Sequence, residues 1–360
     1  MRTLLCGALL AVVFCSAARG LWASDVHGRE FEYKTTAKYE AGYQVMAVRS
    51  TPEAKQADFT LWIPDGPKRL RGLVVISRHG SGESLYSDDQ LRQLAAKLQL
   101  GVVGLIGDSV QRGVAPGVLE DALAKLAELS GHPETIAIPI ITFGMSNGTG
   151  FSCGYPCMRP DRVIGWIAFH PGSDMLFSRR FDAAHLQEAV RSDPANKWLL
   201  TNPPALFSIP GLVVVGEVDE LAGLGKGTSD KTNGNTLVAF ENVRREHDAL
   251  MQFIVEPGVG HGHNGSKSWT IVLEFIEAIA DLRLPSRQDG DDVPKAKRIN
   301  RADSWLGENW VPSVGGGQQL EIGPARSFKG DRGKMSWLPT STYARKWQEF
   351  SREGVTNSAR

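Results

Sequence analysis

What the 360-residue sequence lacks narrows its class first. There is no charge excess: 40 Lys and Arg stand against 40 Asp and Glu. A dedicated nucleic-acid binder carries a basic surplus. A disordered chain pairs high net charge with few apolar residues, whereas 42% of this chain is hydrophobic. After the first residues no run of eighteen apolar residues occurs, so no membrane-spanning helix is expected. Cysteine is scarce, at 4 residues, which excludes a disulfide scaffold. Glycine is plentiful at 39, but no Gly-X-Y period accompanies it, so it points to tight turns rather than collagen.

The N-terminus has the pattern of a targeting segment. Arg2 gives a positive start, Leu4 to Phe14 form a short apolar run, and Ser16, Ala17, Ala18, Gly20 and Ala23 are small. Residues 1–23 are therefore expected to be a cleaved signal peptide, with the mature protein secreted or periplasmic. Phe14 stands where a lipoprotein site needs a small residue, which argues against lipidation at Cys15. Removing the segment also removes Cys6 and Cys15, leaving Cys153 and Cys157. These two can pair in an oxidising compartment or lie reduced on one helix face, and the spacing leaves both open.

Short apolar runs then alternate with amphipathic stretches. Glu30–Tyr39, Tyr43–Ser50 and Asp58–Ile63 read as antiparallel strands. Gly72–Ser77, Gly101–Ile106, Ile136–Phe143, Val163–Phe169, Gly211–Val215 and Met251–Val255 read as buried strands. Asp88–Leu98, Gly117–Ser130 and Trp269–Leu282 read as helices between or after them. The alternation predicts an α/β fold: a mostly parallel twisted sheet with helices on both faces. Ligands in such sheets bind beyond the carboxyl ends of the strands. The expected catalytic domain spans 24–284, followed by a linker and C-terminal extension over 285–360. Pro285–Arg301 is polar and charged, yet residues 302–360 carry four of the nine Trp: Trp305, Trp310, Trp337 and Trp347. So many aromatics argue for an ordered tail, either packed on the main domain or presenting an aromatic surface. Ser304-Trp-Leu306 and Ser336-Trp-Leu338 form a brief echo.

Four strand ends carry candidate chemistry. Ile140–Phe143 runs into Gly144-Met-Ser146-Asn-Gly148, a Gly-x-Ser-x-Gly pattern. A nucleophile on a sharp strand-to-helix turn needs small residues two places before and after it. A helix over about Asn147–Met158 would point its positive end at Ser146. Serine needs a base. His261 follows the last strand in a Gly-rich loop, with His263 as the competitor two residues on. The imidazole needs a carboxylate on its other nitrogen. Asp219 ends the strand Gly211–Val215, with Glu217 and Glu220 as alternatives. Arg78-His-Gly-Ser-Gly82 follows Leu73–Ser77, so the N–H of Gly80 or Ser81, with that of Asn147, can form an oxyanion site. His170 is expected near the site as a wall residue. His27, His132, His185 and His247 are expected on the surface. The His261-Gly-His263 pair lacks a third ligand nearby, so no metal and no cofactor is expected. The long stretch Asp174–Pro210 suggests a cap, with Phe177, Phe181 and Trp198 as candidate pocket walls.

Over about Phe59–Leu284 the chain resembles the α/β-hydrolase superfamily. The resemblance rests on the His79-Gly80 loop, the Gly144–Gly148 turn, the Gly216-Glu-Val-Asp219 strand end, the Gly260-His261 loop, and the order Ser146, Asp219, His261. With Arg159-Pro-Asp-Arg-Val163 after the turn helix, it is similar to secreted bacterial esterases of the feruloyl esterase, polyhydroxybutyrate depolymerase and dienelactone hydrolase groups. Ser146 stands where dienelactone hydrolases carry Cys. The resemblance thus implies hydrolysis of a small or polysaccharide-linked carboxylic ester, and the even charge balance gives no expectation of a nucleic-acid partner. A catalytically silent binding module, and a peptidase or lipase, are the alternatives that the same fold allows.

Overall fold

The computed structural model describes residues 31–39, 42–49, 57–78, 83–106, 116–171, 203–220, 236–261, 268–285, 295–309 and 320–357. The proposed signal segment 1–23 lies outside them, as do Trp310 and the cap candidates Phe177, Phe181 and Trp198.

One nine-stranded sheet organises the chain. Its strands are β1 (Phe31–Tyr39), β2 (Gly42–Arg49), β3 (Ala57–Trp62), β4 (Gly72–Arg78), β5 (Leu100–Ile106), β6 (Ile140–Ser146), β7 (Val163–Pro171), β8 (Gly211–Gly216) and β9 (Met251–Glu256). Their spatial order is β1-β2-β3-β5-β4-β6-β7-β8-β9. β1 to β3 form an antiparallel wing that joins β5 antiparallel. From β5 across to β9 every pairing is parallel.

The parallel strands are apolar throughout because both faces are covered. Successive side chains point to opposite faces, and the two sets enter different cores. Leu73 and Val75 of β4, Val213 and Val215 of β8, and Met251 and Phe253 of β9 enter one core. There they meet α2 (Pro116–Ser130), α3 (Thr149–Met158) and α4 (Thr236–His247). Val74, Ile76, Phe143, Leu212, Val214 and Ile254 enter the other, against α1 (Asp89–Leu98), α5 (Ser268–Arg283) and α6 (Ser341–Asn357). Each large apolar side chain so buried contributes roughly 1.5–3 kcal/mol. The α/β arrangement with helices on both faces is thus as the alternation implies.

One strand begins later than its composition suggests. β6 starts at Ile140 rather than Ile136, because Pro133–Ile136 form a 3-10 turn. Pro139 has no N–H to give to a ladder. Its carbonyl accepts from Leu73 N at 2.9 Å, and Ile140 N is the next donor, bonding Arg162 O at 2.9 Å.

The C-terminal residues pack against the β9 edge. β10 (Trp305–Glu308), β11 (Ile322–Pro324) and β12 (Met335–Leu338) form a small antiparallel sheet, ordered β11-β10-β12. The two Ser-Trp-Leu segments are neighbours in it: Leu306 faces Trp337 and Trp305 faces Leu338. Phe253 N of β9 donates to Ser336 Oγ at 2.8 Å, and Tyr343 OH donates to Gln252 Oε1 at 2.5 Å. Trp337 and Trp347 are buried in the second core. From α4, the buried Arg244 guanidinium reaches Met335 O at 2.8 Å. Burial pulls its pKa down to about 10, so the tail holds this charge at some expense.

Candidate active site

Ser146 ends β6 with φ of 52°, a left-handed conformation that non-glycine residues seldom adopt. Such strain is sustained only where the surroundings over-determine it. Here the turn is locked by Gly148 N on Met145 O at 2.8 Å and by Thr149 Oγ1, which donates to Ser146 O at 2.6 Å. α3 therefore starts at Thr149, two residues after the position the sequence suggests. Gly148 packs against β4, since a Cβ there would lie 2.3 Å from Ser77 O.

The carboxyl ends of β8 and β9 meet beside this turn. Gly216 makes their approach possible: a Cβ on it would lie 2.2 Å from Val259 O and 2.8 Å from Gly260 O. Two backbone bonds stitch the turns together, Glu217 N to Glu256 O at 2.9 Å and Val218 N to Val259 O at 3.1 Å. His261 Nε2 lies 2.8 Å from Ser146 Oγ, and His261 Nδ1 lies 3.0 Å from Asp219 Oδ2. Asp219 is fully buried, while the His261 side chain is 30% exposed. The carboxylate is thus sealed behind the ring and the reactive edge remains reachable.

The other candidates are distributed as follows. Glu217 turns its carboxylate to Gly258 N at 2.8 Å, bracing the loop that carries His261. Glu220 is exposed. Asn147 follows Ser146 on the turn, and its carbonyl accepts from Gly150 N at 3.2 Å. Gly80, Ser81 and His263 lie outside the described residues. His170 does not form a wall open to solvent: its ring is fully buried, stacked on Phe169 at 4.5 Å between centroids, with Nε2 3.1 Å from Glu256 Oε2. His132 bonds Glu134 at 2.8 Å, and His247 stacks on Phe207. Cys153 and Cys157 are buried free thiols of α3, and Cys157 Sγ donates to Cys153 O at 3.4 Å. Sequence reasoning missed Glu256 and Thr149. The signal for Glu256 was available, since an acid closes the apolar strand Met251-Gln-Phe-Ile-Val-Glu256.

A parallel sheet joined to an antiparallel wing, a strained serine between β6 and α3, and an acid and a histidine ending β8 and β9 in that chain order define one architecture. It is the α/β-hydrolase fold.

No family model matches the chain, and no curated protein matches it. Solved structures do. An S-formylglutathione hydrolase from Agrobacterium tumefaciens is similar at 14% identity and a TM-score of 0.45, over 69% of this chain and 98% of that one. An acetyl xylan esterase from Paenibacillus sp. R4 is similar at 13% identity and a TM-score of 0.41, over 77% of this chain and 96% of that one. A poly(3-hydroxybutyrate) depolymerase from Bordetella parapertussis is similar at 13% identity and a TM-score of 0.37, over 70% and 88%.

Proposed function

We propose that this α/β-hydrolase chain is a serine hydrolase that cleaves carboxylic esters, with Ser146 as nucleophile, His261 as base and Asp219 as the carboxylate that orients it. The observation that carries the reading is the continuous hydrogen-bonded line from Ser146 Oγ through His261 to a buried Asp219, with both contacts at 3.0 Å or less. Asp219 accepts from Nδ1–H, which leaves Nε2 unprotonated and facing the hydroxyl. Ser146 Oγ attacks the ester carbonyl as its proton passes to Nε2. The imidazolium is stabilised by Asp219 and then protonates the departing alcohol. Water, activated by the same imidazole, releases the acyl group from Ser146. The developing oxyanion is received by the N–H of Asn147, on the turn that precedes α3, together with that of Gly80 or Ser81. The positive end of α3 favours the same charge.

Small esters, or acyl groups carried on a polysaccharide, are the proposed substrates, and the chain acts outside the cytoplasm after loss of residues 1–23. No helix among the described residues is long and apolar enough to cross a membrane. The test is hydrolysis of p-nitrophenyl esters of graded acyl length, with acetylated sugars and aromatic esters in parallel. The wild-type chain is expected to turn over at least one class, and Ser146→Ala to lose activity by several orders of magnitude. Equal rates for the two proteins would end the proposal.

A further inference from the structure

Behind the triad lies a second histidine–carboxylate pair, and its position is informative. His170 and Glu256 are 0% and 1% exposed. Their contact, 3.1 Å between Nε2 and Oε2, joins the end of β7 to the end of β9 across β8. β7 is the strand beside the nucleophile: Pro171, next to His170, is the partner of Ser146. β9 carries the base: Glu256 is its last residue, five positions before His261. Glu256 also holds both sides of the segment bearing His261. Its carbonyl accepts from Val259 N at 3.4 Å, and its Oε1 accepts from Ser268 N, at the start of α5, at 3.4 Å. The rings of His170 and His261 are 6.4 Å apart.

Two unfavourable features coincide in this pair. A carboxylate is removed from water, which is tolerated only with hydrogen-bond compensation, and an apolar pair of similar volume would commonly be as stable. His170 is in addition held at φ of 42°, in the left-handed region. Stability alone does not account for both.

We propose that His170 and Glu256 are positioning residues that hold the loop carrying His261 in register with Ser146, so that the base meets the hydroxyl without reorganisation. This rests on the reading of Ser146 and His261 as catalytic. With the carboxylate ionised, His170 Nε2–H donates to Oε2, and the link fixes the spacing between the nucleophile strand and the base strand. A displacement of the base by about 1 Å is enough to lower a rate about 100-fold.

The test compares His170→Leu, Glu256→Met, the double variant and His170→Gln with wild type and Ser146→Ala on one p-nitrophenyl ester. Each single apolar variant leaves one buried partner unpaired and is expected to unfold at a lower temperature, whereas the double variant is expected to unfold near the wild-type temperature; all three are expected to lose about 10- to 100-fold in kcat with KM within about twofold. The double variant should lose no more than the poorer single one, because both remove the same contact. His170→Gln keeps an N–H donor at the position of Nε2 and should recover most of kcat. The low-field proton resonance of His261 Nδ1–H should broaden in the apolar variants and return in His170→Gln. The proposal is overturned if the double variant keeps kcat within about twofold, or if His170→Gln is as impaired as His170→Leu. Should the apolar variants fail to fold, the folded His170→Gln protein decides: kcat within about threefold of wild type supports the link, and a larger loss overturns it. Wild-type activity absent, or unchanged in Ser146→Ala, would instead refute the hydrolase reading itself.

Discussion

A Cβ added to Gly144 would lie 2.1 Å from the carbonyl oxygen of Gly148, closer than any real contact. The two glycines of the turn therefore exclude side chains for different reasons: Gly144 is crowded by Gly148, and Gly148 by Ser77 O of β4. Gly144→Ala must push the backbone of the turn aside and carry Ser146 with it. We expect kcat/KM to fall at least about 100-fold, because nucleophile and base then part by about 1 Å. Ester hydrolysis beside far-UV circular dichroism checks this: the loss should appear in protein that still folds.

Asp219 and Glu217 lie on one turn but face different partners, His261 Nδ1 and Gly258 N. Asp219→Asn presents an amide where the ring donates and favours the wrong tautomer. The expected loss in kcat is on the order of 10³- to 10⁴-fold with little change in thermal stability. Glu217→Gln keeps an acceptor for Gly258 N and should stay within a few-fold of wild type. Steady-state kinetics of the two variants side by side separates the roles.

Much of the fold was legible in the sequence because each parallel strand is a short apolar run bounded by turn residues. Leu73 to Ile76 need two-sided cover, and only helices on both faces supply it. The start of β6 was less legible, since Ile136 and Ile138 continue the apolar pattern and the interruption comes from Pro133 and Pro139. At the site, spacing identified the turn around Ser146, and composition identified an acid and a histidine after later strands. The sequence favours Asp219 among three acids within four residues but leaves Glu217 and Glu220 open, because the direction of each carboxylate depends on the packing of β8 against β9. Nor could spacing find the link between His170 and Glu256, which are 86 residues apart and separated in the sheet by a whole strand. Trp305, Trp337 and Trp347 signalled order, but the pairing of Leu306 with Trp337 belongs to tertiary structure.

The two thiols of α3 should be chemically silent in the native protein. Burial pushes the Cys157 thiol up to about 12 and Cys153 higher still, so almost none of either is thiolate at pH 8. A chromogenic disulfide reagent should titrate no thiol in native protein lacking residues 1–23, and two after denaturation in guanidinium without reductant. Two missing thiols in the denatured sample would reveal a bond between Cys153 and Cys157.

The tail should unfold together with the sheet. Trp347 is fully buried among residues of the second core, and a Cβ on Gly307 would meet its ring at 2.7 Å. Trp347→Ala is expected to destabilise the protein by about 3–5 kcal/mol. Guanidinium unfolding followed by circular dichroism and by fluorescence should give one coincident transition in both proteins. A separate early transition in the variant would mean that the tail is an independent unit.

The most direct test of the central claim is covalent capture of Ser146. Exposed to a fluorophosphonate probe, the wild-type chain should gain one adduct, located by peptide mass spectrometry on Ser146. Labelling should vanish in Ser146→Ala and slow by orders of magnitude in His261→Ala. An unlabelled wild-type protein, or an adduct on any other residue, would contradict the account.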